Sequence, residues 1–544
     1  MMQTIAAALL AIATTPADVV VVRPPAWESH TIPWQEYRQQ QGHTIRALDC
    51  SGDAEQLRQQ IREIARASEG RLRFIVLAGD APSINAKPNP SSIPTFYIES
   101  KVVHRFGSEP TIPSDLPYAD FDDDGIPDAA IGRIPAKTGP ELARILTKAI
   151  DYELQINPGS FRKRVDVIAG VGGFGLLADT AVQMVTRRLL TDSIPGEYQV
   201  SMTYASCNSP YCPNPFEFGK QAIARMNSGS QFWVYLGHGY VDTLDHLRIQ
   251  DRAVQIMTSD MLDEVRTNGT TPIAIFLACY TGAFDAHVDS IAEKLVKMPD
   301  GPVATLAGSR VTMPYGMSIF GAALLDCCFK DRVPTLGELV LEAKRRTMIE
   351  AQDAAKSDGR RPMLDGLAKA LSPADHDLAA ERREHLLLFH ILGDPLLRLT
   401  HPETMPLDLP KQALAGAPLL VKGKAARAGS LTLELQYCRD RLPEGVRGRS
   451  QFNDSATTLN EMTSTYRKAN NPCIHRHEIR VVAGDFQIEL PLDESLRGQY
   501  VVTCHLEGAN HWSCGSQKIL VRKATAPQDE QSDPTKENQP KQDR

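Results

Sequence analysis

From Asp18 to about Leu399, short runs of apolar and β-branched residues alternate with amphipathic segments of helical period. No other feature constrains the chain more. Strands that are apolar along most of their length, each followed by a helix, specify a mostly parallel sheet covered by helices on both faces. The runs Asp18–Val22, Phe74–Ala78, Val165–Ala169, Tyr198–Tyr204, Gln231–Leu236, Pro272–Ala278 and Pro302–Ala307 read as strands. Helical patterns cover Asp53–Ala67, Glu141–Leu154, Leu176–Leu190, Phe216–Met226, Ser259–Arg266 and Asp289–Val296. In the first of these Leu57, Ile61 and Ile64 share a face, and Asp53 with Gln56 spells a capping box. The proline-rich stretch Ala81 to Pro117 reads as loop, and helical patterns dominate from Gly316 to about Phe389.

The pattern changes after about Pro402. Leu419–Val421, Ser430–Gln436, Asp485–Leu490 and Gln499–Leu506 are short and β-rich, which predicts an antiparallel β-sandwich over 409–522. Residues 523–544 carry almost nothing apolar and read as a disordered tail. The α/β region divides into an N-terminal subdomain, 18–155, and a catalytic subdomain, 156–402. Residues 1–17 resemble the apolar region and cleavage site of a signal peptide, without the Lys or Arg expected ahead of it. Together with the cysteines, this segment predicts export. Net charge is −7, from 59 Lys+Arg against 66 Asp+Glu, with no long basic block, so nucleic acid is not an expected partner. No apolar run approaches the ~18 residues of a membrane-spanning helix.

In open parallel sheets, ligands lie beyond the carboxyl ends of the strands. Two such ends carry chemistry. Gln231–Leu236 runs into Gly237-His238-Gly239, and Pro272–Ala278 runs into Cys279-Tyr280-Thr281-Gly282. One helical segment separates them, so the strands are expected to be neighbours, projecting an imidazole and a thiol into one crevice. A thiolate is a nucleophile, and an imidazole can generate it and later protonate a leaving amine. The flanking glycine lets a substrate backbone approach, and the amides of Gly239 and Cys279 are candidate oxyanion donors. A cysteine ending a buried strand is otherwise a small core residue, and a histidine between glycines is otherwise turn chemistry.

These residues resemble the gingipain-type cysteine peptidases of the caspase–hemoglobinase fold. The likeness rests on ordered pieces: FIVLAGD (Phe74 to Asp80), SDLPYADFDDDGIPDAAIGRIPA (Ser114 to Ala136), YLGHG (Tyr235 to Gly239), LACYTGAFD (Leu277 to Asp285), SIAEKLV (Ser290 to Val296) and LGDPLLRL (Leu392 to Leu399). The resemblance implies that Cys279 is the nucleophile and His238 the general base and acid. It also implies that an immunoglobulin-like domain follows, with no cofactor required for the chemistry. Protein or peptide is then the substrate, and cell-surface association is expected. In the best-known members an acidic residue in a Gly-rich stretch orients the imidazole. Here Val171 stands at that position, and Asp179 is the candidate substitute. A catalytically impaired surface or scaffold protein on the same fold is the alternative reading.

Several other signals need weighing. Gly170 to Gly175 spells G-x-G-x-x-G between a strand and a helix, but the acid expected about 20 residues on, at the end of the next strand, is replaced by Ala205-Ser206-Cys207. Asp120, Asp122, Asp124 and Asp128 follow the spacing of a calcium loop, with Gly125 for the turn and Ile126 at the seventh position. Ile131 stands where an EF-hand has its bidentate Glu. Structural calcium is expected there. Zinc at His475-Arg476-His477 is not, since no second pair lies near. Cys207 with Cys212, and Cys438, Cys473, Cys504 and Cys514, are candidates for disulfides, while Cys327–Cys328 reads as core. Asp242, Asp245 and Asp285 flank the motifs and are the carboxylates available to a basic-specific pocket.

Overall fold

The computed structural model describes residues 16–84, 86, 89–155, 159–172, 193–349 and 360–523. Ten strands form the central sheet: β1 (Val19–Arg23), β2 (Ile45–Asp49), β3 (Phe74–Ala78), β4 (Ala130–Ile134), β5 (Arg164–Ala169), β6 (Gln199–Tyr204), β7 (Phe232–Leu236), β8 (Ile273–Leu277), β9 (Ala304–Gly308) and β10 (Phe389–Leu392). Across the sheet the order is β2-β1-β3-β4-β10-β9-β8-β7-β5-β6. β10 runs antiparallel to β9 and parallel to β4; the other pairings are parallel. The sheet is therefore two parallel halves of opposite direction that meet at β10. β1, β3 and β8 are buried along their whole length, as strands covered on both faces must be.

The helix Ala54–Ala67 starts as expected. The Asp53 side chain accepts from Gln56 N and the Gln56 side chain accepts from Asp53 N. Three readings need correction. Ser259–Glu264 is a 3-10 turn, because its polar residues offer no helical stripe. The stretch 81–117 is not all loop: Phe96–Glu99 pairs antiparallel with Thr111–Ser114. β2, β4 and β10 were not recognised as strands. The helical pattern Leu176–Leu190 falls outside the described residues.

Beyond Pro402, a six-stranded and a three-stranded sheet face each other. Leu431, Leu433, Leu435, Val502 and Leu506 of the first meet Leu419, Val421, Ile488 and Leu490 of the second. The larger sheet also buries its outer face. Trp512 and Cys514 join the core that holds Val165, Tyr198 and Phe232 of the α/β region. A helix unforeseen in the sequence, Ala456–Ala469, packs over the β6 edge of the central sheet. The Tyr466 hydroxyl lies 2.8 Å from Thr203 Oγ1 and accepts from Arg225 Nε at 2.7 Å. Asn470 accepts from Met202 N (2.7 Å) and donates to Met202 O (2.9 Å), satisfying part of an otherwise open strand edge.

All ten cysteines are free thiols. Cys504 lies in the sandwich core and Cys514 in the core beneath the central sheet, on opposite faces of one sheet, so those two cannot bond. Cys327 and Cys328 are buried, as read.

Candidate active site

β7 and β8 are hydrogen-bonded neighbours, in register from Phe232–Ile273 to Leu236–Leu277. His238 and Cys279 therefore stand two residues beyond the same rung of the ladder. Side chains alternate along strands. Phe232, Val234 and Leu236, like Ile273, Ile275 and Leu277, face the core under helix Pro314–Phe329. His238 and Cys279 continue those two series. Both are half-buried, within reach of solvent and substrate.

The turn around His238 leaves no room for larger residues. A Cβ on Gly237 would sit 2.7 Å from the Tyr235 hydroxyl and 3.1 Å from Gly170 Cα, and one on Gly239 would sit 2.7 Å from the Cys279 carbonyl oxygen. Tyr235 donates its hydroxyl to His238 O at 2.8 Å, tying the turn to its own strand. Gly170 N donates to Leu236 O at 2.7 Å, which brings the end of β5 against the histidine turn. Val171 is there, half-buried against the core. Asp179 and Gly173 to Gly175 lie outside the described residues.

The sulfur of Cys279 is held by a loop that sequence reasoning missed. Thr312 N donates to Cys279 Sγ at 3.2 Å, and Thr312 Oγ1 lies 3.5 Å away. The thiol in turn faces Thr312 O, 3.7 Å from the sulfur. The loop is pinned in turn. Met313 N donates to His385 Nε2 at 3.0 Å, and His385 Nδ1 donates to Glu381 O at 2.7 Å. Burial holds His385 below its usual pKa, consistent with the neutral ring these bonds require. Gly316 N donates to Glu381 Oε1 at 2.7 Å at the start of helix Pro314–Phe329. Spacing gives no signal for these contacts, because 312, 313, 381 and 385 meet only in the fold.

Tyr280, directly after the cysteine, takes φ 56°, a left-handed conformation that costs a non-glycine residue roughly 1–3 kcal/mol. Its surroundings hold it. Tyr280 N donates to Arg310 O at 3.2 Å and its hydroxyl donates to Glu109 Oε2 at 2.9 Å. Arg310 is buried and bidentate on Asp285, at 2.8 and 2.7 Å. Burial opposes the guanidinium charge, and Asp285 outweighs it, holding Arg310 above its usual pKa. Asp285 is thus committed to an internal partner. Asp245 is buried and accepts from His246 N at 2.7 Å, while Asp242 is exposed.

Two carboxylate groups cluster elsewhere. Oxygens of Asp120, Asp122 and Asp124 lie within 4.8 Å of one another, a donor set that fits a hard cation. Burial holds the Asp120 carboxyl above its usual range, and the charge of Asp124 adds to this. Asp128 turns instead to Phe121 N, at 2.7 Å, and Ile126 N donates to Asp124 Oδ1, also at 2.7 Å. The second group, Asp80, Asp289 and Glu293, was not foreseen. There Lys297 Nζ already supplies the cation, 2.9 Å from Asp289 and 4.0 Å from both Asp80 and Glu293.

A family model, peptidase family C25, matches residues 12–400. The chain belongs to peptidase family C25. It is accordingly a cysteine-type peptidase, a hydrolase acting on protein substrates. No curated protein matches the sequence. Among solved structures, the complex of Porphyromonas gingivalis RgpB pro- and mature domains is 16% identical, with a TM-score of 0.52 over 93% of this chain and 100% of that one. The Arg-specific cysteine proteinase gingipain R is also 16% identical, with a TM-score of 0.52 over 93% and 98%. A further protease structure is 15% identical, with a TM-score of 0.53 over 94% and 98%. At such identity these structures speak to the fold, which is the α/β caspase-like architecture followed by a β domain. Among the described residues no helix of this C25 peptidase is long and apolar enough to cross a membrane.

Proposed function

We propose that this C25 peptidase cleaves peptide bonds with Cys279 as nucleophile and His238 as general base and acid. His238 takes the thiol proton as Cys279 Sγ bonds to the peptide carbonyl carbon. The N–H groups of Gly239 and Cys279 hold the oxyanion. The C–N bond then breaks as His238 gives its proton to the departing amine. Water, deprotonated by His238, attacks the thioester and releases the acid and the thiol. The observation that carries this reading is the in-register pairing of Leu236 with Leu277, with His238 and Cys279 each two residues beyond that rung, past the carboxyl ends of neighbouring strands. Thr312 N–H on the sulfur supports it.

The test is Cys279→Ala. Casein cleavage and labelling by a thiol-directed peptide inhibitor should both vanish, and unchanged cleavage would overturn the assignment. Val171 at the end of β5 favours a second reading, a catalytically impaired protein on the same fold. On that reading wild type would bind peptides and show no turnover, with or without calcium.

The Arg specificity of gingipain R is not part of this proposal, because Asp285 is engaged by Arg310. We further propose structural calcium at Asp120, Asp122 and Asp124, supported by their convergence. Export is proposed on the apolar start of the chain, with cell-surface association through an immunoglobulin-like second domain.

A further inference from the structure

The central sheet is poorly paired at one place, between β4 and β10. β4 and β10 share one paired position, Leu392 with Arg133. Between them a cavity of about 20 Å³ opens against helix Leu336–Met348, lined by residues of both strands with Asp115, Lys344 and His390. That volume admits one water-sized particle.

The charge of this cavity is one-sided. Asp115 gives one carboxylate oxygen to Arg133 Nε at 2.8 Å and the other to Arg133 Nη2 at 2.7 Å, and Thr95 adds a further bond at 2.8 Å. That acid is spent on its own guanidinium. Lys344 is largely buried, and no described residue accepts a hydrogen bond from its Nζ, which keeps contact with solvent. His390 is buried with Nε2 unpartnered among the described residues. An unpaired charge in the interior is among the costliest features a fold can carry. Burial pushes Lys344 down to about 7. Burial and then the charge of Lys344 push His390 down to about 3, as expected of two groups facing one small space.

We propose that this cavity binds one small monovalent anion of the chloride class, held by Lys344 Nζ and His390 Nε2. His390 donates as its Nε2–H tautomer or as imidazolium. The small volume favours a monatomic anion over carboxylate or phosphate. Asp115 is the only negative charge acting on Lys344 and is shared with Arg133, so a halide adds a counter-charge that water does not. The anion would fill the gap between β4 and β10, away from Cys279, and act on stability.

Thermal unfolding of the full chain at pH 6.5 and fixed ionic strength tests this, with sodium chloride or bromide replacing sodium gluconate. The midpoint should rise by a few degrees and saturate with halide. Lys344→Met should unfold at one midpoint in all three salts. Equal wild-type midpoints in halide and gluconate would overturn the proposal, as would an undiminished halide shift in Lys344→Met. If that variant does not fold, crystals of wild type grown in bromide decide: an anomalous peak beside Lys344 supports the site, and an empty cavity rejects it.

Discussion

The contacts around Cys279 show how buried charge positions the loop that follows it. Arg310 reaches Tyr280 through its carbonyl and Asp285 through its guanidinium, so the ion pair braces a backbone held at positive φ. Removing one partner of such a pair strands the other. Asp285→Asn should cost about 3–5 kcal/mol in denaturant unfolding. It should also lower kcat/KM as Tyr280 relaxes. An unchanged unfolding midpoint would mean that Glu109, 3.2 Å from Arg310 Nε, suffices as counter-ion. The Asp120 loop makes a separate claim. Chelation with EGTA should lower the melting midpoint of wild type and leave Asp122→Asn/Asp124→Asn little affected. No shift in wild type would count against calcium.

At the scale of elements, what could be read from the chain follows from how unambiguous each local pattern is. β7 and β8 are continuous apolar runs ending in glycine-flanked or polar residues, so both the strands and the two chemical side chains beyond them were legible. β4, with sequence AIGRI, hides because Arg133 is buried through Asp115, a partner that lies outside the local pattern. β10 hides because it continues the helix Leu378–Leu388 without a break, and a short apolar run looks the same in either state. Thr312, Glu381 and His385 were invisible for a related reason, since their roles arise from contacts between distant elements. The helix Ala456–Ala469 is largely polar and gave little signal, although it protects an edge. Asn470→Ala would free both Met202 backbone groups on β6. A stability loss of about 1–2 kcal/mol is expected, with faster aggregation on mild heating and kcat/KM unchanged. Light scattering during a thermal ramp reads this out.

For the whole molecule, the junction between the halves of the α/β region is where pH should act. Asp80 and Lys137 from the first half, and Asp289 and Glu293 from the second, line a cavity of about 290 Å³, with Lys297 bound to Asp289. Lys137 reaches Asp289, and Lys297 lies 4.0 Å from Asp80, so the lysines stitch the two halves together. Three carboxylates share two ammonium groups, and one acid is better kept neutral. Burial, and then the nearby charge of Asp80, push Glu293 up to about 8 from an ordinary value of 4.5. Between those values the native protein holds a proton that the unfolded chain has released. Stability conferred by the protonated acid is present at the low end of this window and is lost as pH rises through it. The slope approaches about 1.4 kcal/mol per pH unit where a full proton separates the two states. Glu293→Gln keeps the bonds to Ser290 within reach and cannot ionise. Urea midpoints measured from pH 5 to 8 should fall more steeply for wild type than for Glu293→Gln, so the difference between the two proteins shifts in favour of the variant as pH rises. Parallel curves would show that Lys297 and Lys137 neutralise all three carboxylates in the native state, and that no proton is stored at the junction.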